Sequence, residues 1–233
     1  MTKPTCAVVG VGPGNGAAFA RKFASEGYNV ALLARNQDYS RELEGQIPGS
    51  KAFVFDVTAV DTAGEVFNRI RSTMAPIEVL VYNAGSGQFG SVDDTTPEAF
   101  ESSWRVNALG CLACAKEVIP DMRKARAGNI VIIGATASLR GGANFAAFAS
   151  AKAAQRSLAQ SMARHLGPER IHVSYVIIDG VVDLERTRKM MSDKPDDYFL
   201  KPDHIADSVF FLTRQPRSAW TFELDLRPFG EKW

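Results

Sequence analysis

The chain has 233 residues, 45% hydrophobic and 23% charged, with a formal net charge of +1. That length and composition bury a substantial core, and the balanced charge argues against a broad nucleic-acid or acidic-membrane surface. No apolar run approaches the roughly 18 residues a membrane span needs. The opening residues MTKPTCAVVG lack a signal-peptide layout, so the expected compartment is the cytoplasm.

In chain order, short apolar runs alternate with amphipathic stretches. Buried strands are expected at 6–10, 29–34, 51–57, 78–85, 129–135 and 171–178, with a last strand at 221–226. Helices are expected at 15–26, 61–73, 97–125, 145–166 and 202–213. This alternation implies right-handed crossover units and a parallel sheet covered on both faces. No repeat, low-complexity tract or linker divides the chain, so one domain over 1–233 is expected. The stretch 181–201 is the least regular: charged, with two methionines and a proline. It leaves the carboxyl end of the sixth strand, where such sheets bind ligands, and reads as a substrate lid.

The first strand runs into Gly10-Val11-Gly12-Pro13-Gly14-Asn15-Gly16 and then a helix. Glycine is needed where a chain turns tightly and its backbone must touch a pyrophosphate, and a helix N-terminus offers N–H groups to the phosphates. The turn fits G-x-x-x-G-x-G through Gly10, Gly14 and Gly16. It also fits G-x-G-x-x-A through Gly12, Gly14 and Ala17, so the loop alone does not choose between patterns. The second strand ends in Arg35 and Asn36, where an NAD-preferring site would place a carboxylate. An arginine there pairs with a 2′-phosphate, so NADP (NADPH) is expected in preference to NAD.

Of the cysteines, Cys6, Cys111 and Cys114, the last two form a C-x-x-C on one apolar face of an expected helix. No second Cys or His pair stands at zinc spacing, and His165, His172 and His204 are scattered, so no metal site is expected.

Together the glycine spacing, the length and several later motifs resemble the short-chain dehydrogenase/reductase family. Asp56-Val57 matches its adenine-contacting Asp-Val, and Tyr82-Asn83-Ala84-Gly85 matches its Asn-Asn-Ala-Gly with Tyr82 in place of the first Asn. Asn107 matches the asparagine of its central helix, and Lys152 the lysine of its Tyr-x-x-x-Lys. The resemblance runs through the whole chain. It implies an α/β fold: a single-domain, Rossmann-type, doubly wound parallel seven-stranded sheet. It implies a cofactor site of Gly10, Gly14, Asn15, Gly16, Arg35, Asn36, Asp56, Val57, Asn83, Ala84 and Gly85, with Lys152 on the nicotinamide ribose hydroxyls. It also implies a homodimer or homotetramer paired through the long helices at 97–125 and 145–166.

Three departures matter. The family's catalytic tyrosine is here Phe148; its catalytic serine is Ala135, with Thr136 beside it and Ser138 three residues on; and Asp179-Gly180 stands for Pro-Gly. In the family the tyrosine gives a proton to a carbonyl oxygen as hydride arrives, with the lysine lowering its pKa, and the serine polarises that oxygen. Phe148 and Ala135 do neither, so ordinary ketone reduction is expected to be severely impaired. One reading is an NADP-dependent oxidoreductase with a non-standard proton donor. In it Lys152 and Asn107 are kept, and Thr136, Ser138, Asp179 or a water gives the proton. Alternatively the substrate needs no acid there, as with a protonated imine or an enone C=C. Phe145, Phe148, Leu139, Met190 and Met191 point to a small apolar substrate. The other readings are an NADP-binding sensor or partner subunit without catalysis, and an isomerase or lyase. Phe229 and Trp233, in the last ten residues, either pack on their own chain or cover a neighbouring subunit.

Overall fold

A computed structural model describes residues 3–231. The strands are β1 (Thr5–Val9), β2 (Asn29–Ala34), β3 (Ser50–Val54), β4 (Ile77–Tyr82), β5 (Gly128–Ala135), β6 (Ile171–Ile178), β7 (Val181–Val182), β8 (Phe199–Leu200) and β9 (Glu223–Leu226). The helices are α1 (Asn15–Ser25), α2 (Gln37–Gln46), α3 (Ala63–Thr73), α4 (Pro97–Trp104), α5 (Gly110–Ala125), α6 (Ala146–Leu166), α7 (Glu185–Met190) and α8 (Pro202–Thr213). Seven strands form one parallel sheet in the order β3-β2-β1-β4-β5-β6-β9. The winding reverses between β1 and β4, which opens a crevice at the carboxyl ends of these strands.

Helices cover both faces, so the central strands have no polar side to show. β1 and β6 are buried along their whole length. On one face α1, α2 and α8 pack through Phe19, Phe23, Leu43 and Val209. On the other, α3, α5 and α6 pack through Phe67, Val118 and Met162. Cys111 and Cys114 are fully buried in that second layer and unbridged. No helix among the described residues is long and apolar enough to cross a membrane.

Three elements differ from the sequence reading. Helix α2 was not expected, because it buries only Ser40 and Leu43 and so shows no apolar stripe. Its start is marked instead by Asn36, whose side chain accepts from the Asp38 N–H at 2.8 Å. The helix expected over 97–125 is interrupted by a π-helical turn at Arg105–Leu109. The Tyr82 hydroxyl donates to the Val106 carbonyl in that turn at 2.5 Å, giving this carbonyl a partner from β4. Finally, the stretch 181–201 is ordered. β7 pairs with β8, Asp183 binds Arg188 at 2.6 Å and Lys201 at 2.7 Å, and the Arg188 guanidinium lies 4.1 Å over the Phe199 ring. Phe229 is exposed at the surface, and Trp233 lies outside the described residues.

Candidate active site

The glycine turn and the Asn83–Gly85 segment form one unit at the crevice. Gly10 has φ +91°, and a Cβ there would lie 2.5 Å from the Ala84 backbone nitrogen. The Asn83 amide donates to the Gly10 carbonyl at 2.8 Å, tying the two loops together. A Cβ on Gly16 would meet the Gly10 carbonyl at 2.7 Å. Gly14, at φ +110°, caps α1 without a side chain, and Leu184 packs against it. Asn15 Oδ1 is buried beside this helix end with no hydrogen-bond partner among the described residues.

Arg35 and Asn36 stand exposed at the end of β2. Asp56 lies beside them, just past the end of the neighbouring strand β3. Burial alone would raise its carboxyl. Hydrogen bonds from the Thr58 N–H (2.9 Å) and hydroxyl (2.7 Å), with the nearby Arg35 charge, outweigh that and hold it below the usual value. The Val57 side chain is buried in the core, which leaves only its backbone for a ligand.

Lys152 is reached from α6, one turn after Phe148, and is 5% exposed. Its ammonium donates to the Ile133 carbonyl and to Gln155 Oε1, each at 3.0 Å. Burial pushes its pKa down from 10.5 to about 8. The Gln155 amide donates to the Asn107 backbone carbonyl at 2.8 Å, and the Tyr175 hydroxyl approaches Gln155 Oε1 at 3.5 Å. The Asn107 side-chain amide donates to the Ser103 carbonyl at 2.9 Å, which turns Oδ1 the other way, buried and without a partner among the described residues. A Cβ built on Gly85 would lie 3.5 Å from that Oδ1 and 3.7 Å from Lys152 Nζ. The backbone at Gly85, a buried orphan acceptor and a buried cation thus converge on one spot. This arrangement and the bare helix end at Gly14 fit a nicotinamide dinucleotide, a ribose hydroxyl meeting Lys152 and a pyrophosphate meeting the turn.

Next to this spot lies a cavity of about 590 Å³. Ala135, Thr136, Phe145 and Phe148 line it, together with Phe89, Ile178 and Met191. The Phe89 ring stands edge-on to Phe145 and Phe148, with centroids 5.3 and 5.5 Å apart. Met190 is a correction to the sequence reading: it turns outward, 79% exposed, and Met191 lines the wall instead. Among the expected proton donors, only Thr136 lines the cavity, and its hydroxyl donates to Asp179 Oδ1 at 2.5 Å. Asp179 also pairs with Arg227 at 3.0 Å. The Ser138 hydroxyl donates to the Ala135 carbonyl at 2.7 Å and does not line the cavity. Thr136 is the one hydroxyl-bearing residue among the described residues that line the cavity.

Sequence reasoning missed Gln155, Tyr175, Phe89 and Leu184. Gln155 had a usable signal: it follows Lys152 by three residues, on the same face of a helix. Phe89 sits in a loop with no periodicity, and nothing in the sequence places it beside Phe148.

The short chain dehydrogenase profile matches residues 4–195. The chain belongs to the short-chain dehydrogenase/reductase family of oxidoreductases. It is similar to the human 3-oxoacyl-[acyl-carrier-protein] reductase, at 26% identity over 91% of each chain. Its fold matches a short-chain dehydrogenase from Rhodopseudomonas palustris at 35% identity and TM-score 0.84, covering 97% of this chain and 99% of that one. It also matches a metagenomic short-chain oxidoreductase in complex with NADP, at 27% identity and TM-score 0.84 over 97% of each chain.

Proposed function

We propose that the protein is an NADP-dependent reductase of a small apolar substrate whose acceptor needs no acid from residue 148: a protonated imine or a conjugated C=C. The observation that carries this reading is the pairing of a kept cofactor spot with a cavity wall, Phe148 and Ala135, that has no proton to give. NADPH, when bound, supplies hydride. Lys152 and Asn107 hold the ribose end, the Gly10–Gly16 turn holds the pyrophosphate, and Arg35 pairs with the 2′-phosphate. Phe89, Phe145 and Phe148 present an apolar wall to the substrate. A protonated imine already carries the proton that its amine product needs. A conjugated C=C accepts hydride at its β-carbon, and the resulting enolate takes its proton from solvent at the cavity mouth. The Thr136 hydroxyl, committed to Asp179, is not required to move.

NADPH absorbance tests this with cyclic imines, enones and plain ketones, for wild type and Phe148→Tyr. Wild type is expected to turn over imines or enones and to leave plain ketones unreduced; the tyrosine variant gains ketone reduction. The same assay with NADH reads cofactor preference. NADPH binding without turnover across the panel would replace this reading with that of a nucleotide-binding sensor or partner subunit. Pairing into a homodimer or homotetramer is part of the proposal. It is supported by Phe100, Trp104 and Leu112, exposed on α4 and α5, and sedimentation velocity measures it.

A further inference from the structure

The cavity that holds the substrate in the proposed function is walled almost entirely by apolar groups. Among the described residues that line it, Arg140 alone is charged. It lies in the loop between the 3-10 turn at Thr136–Ser138 and α6, and this loop is fixed in place. The Gly90 N–H donates to the Asn144 carbonyl at 2.9 Å, and the Ala146 N–H donates to the Gly90 carbonyl at 3.2 Å. A Cβ on Gly142 would meet the Phe145 ring at 2.8 Å, so the loop is folded down onto the aromatic wall. Arg140 makes no ion pair among the described residues. The carboxylate that belongs to the same end of the sheet, Asp179, is already bound to Arg227 and Thr136. By contrast, the lid arginine, Arg188, is neutralised by Asp183 and Asp196.

A lone guanidinium at the rim of an apolar cavity offers planar, two-pronged hydrogen bonding to a carboxylate or a phosphate, and its single positive charge balances that of a carboxylate. We propose that the ligand of this cavity carries a carboxylate, bound by Arg140 at the rim, on an aromatic or branched apolar body that lies among Phe89, Phe145 and Phe148. The proposal rests on the cavity being the substrate site, and it names the substrate class: an apolar acid bearing the reducible group away from its carboxylate.

The test reads binding without cofactor or turnover, so its failure is distinct from failure of the reductase reading. Calorimetry compares phenylpropionate with its uncharged amide, on wild type, Arg140→Gln and Arg140→Lys. The acid is expected to bind wild type about tenfold more tightly than the amide, which corresponds to one well-formed charged contact. That advantage vanishes in Arg140→Gln, is partly kept in Arg140→Lys, and shrinks with added salt. Arg140 is exposed, so neither variant threatens folding. Equal affinity for acid and amide, no measurable binding of either to wild type, or an acid preference that survives Arg140→Gln would each overturn the proposal.

Discussion

Lys152 makes stability itself a reporter of the site. Its ammonium is buried, and burial brings its pKa from 10.5 to about 8. Below the folded value both states are protonated, and the full cost of burying the charge is felt. Between about 8 and 10.5 the unfolded chain holds a proton that the folded chain has released, so stability rises with pH. Above both values the cost is gone. The whole span is worth ~3 kcal/mol, of which about 1 kcal/mol is recovered between roughly pH 7 and 9. Lys152→Met removes the titration and leaves Ile133 and Gln155 without their donor, a loss that does not vary with pH. Cys111 feels the lysine's charge, which lowers its pKa, but burial pushes the thiol up to about 12, so in the folded state it stays protonated across this range with or without Lys152. Urea unfolding of the two proteins without cofactor, at about pH 7, 8 and 9, therefore isolates the lysine. Wild type is expected to gain ~1 kcal/mol relative to the variant across that range. Parallel curves would refute the argument that burial depresses this lysine.

Gln155→Leu removes the side-chain acceptor of Lys152 and the donor to the Asn107 carbonyl, and is expected to cost ~2–4 kcal/mol in urea unfolding. Gln155→Glu sets a carboxylate against the ammonium, raises the lysine's pKa, and moves the rise in stability to higher pH. Gly10→Ala places a Cβ against the Ala84 backbone at a φ that only glycine adopts freely. It is expected to lose at least ~2 kcal/mol in thermal melts and to weaken NADPH binding measured by fluorescence.

The sheet was legible because a strand covered on both faces needs an unbroken apolar run, and the 29–34 and 171–178 runs coincide with β2 and β6. Helix α2 was not, since it touches the core through only two side chains. The π-helical turn was hidden inside a continuous helical pattern, and the signal for it was a residue that looked like a simple departure, Tyr82. In the site, Lys152, Asn107 and Gly85 were read from motifs, and the structure sets them against one another. The fate of Thr136, Ser138 and Asp179 was not legible. Ser138 turns back onto the Ala135 carbonyl three residues before it, while Thr136 and Asp179 meet each other and Arg227 across the ends of different strands, whose register no local pattern fixes. Met190 and Met191 are adjacent, and a turn of α7 decides which faces the cavity.

The segment after β6 touches both halves of the crevice: Gly180, Val181 and Met191 border the cavity, while Leu184, a few residues on, rests against Gly14 of the phosphate turn. One short piece of chain therefore borders both the cavity and the glycine turn. A ligand that shifted it at one end would disturb its contacts at the other. The coupling is reciprocal: if cofactor tightens acid binding by some factor, acid must tighten cofactor binding by the same factor. The ion pairs of Asp183 with Arg188 and Lys201 sit between the two contacts and brace the segment.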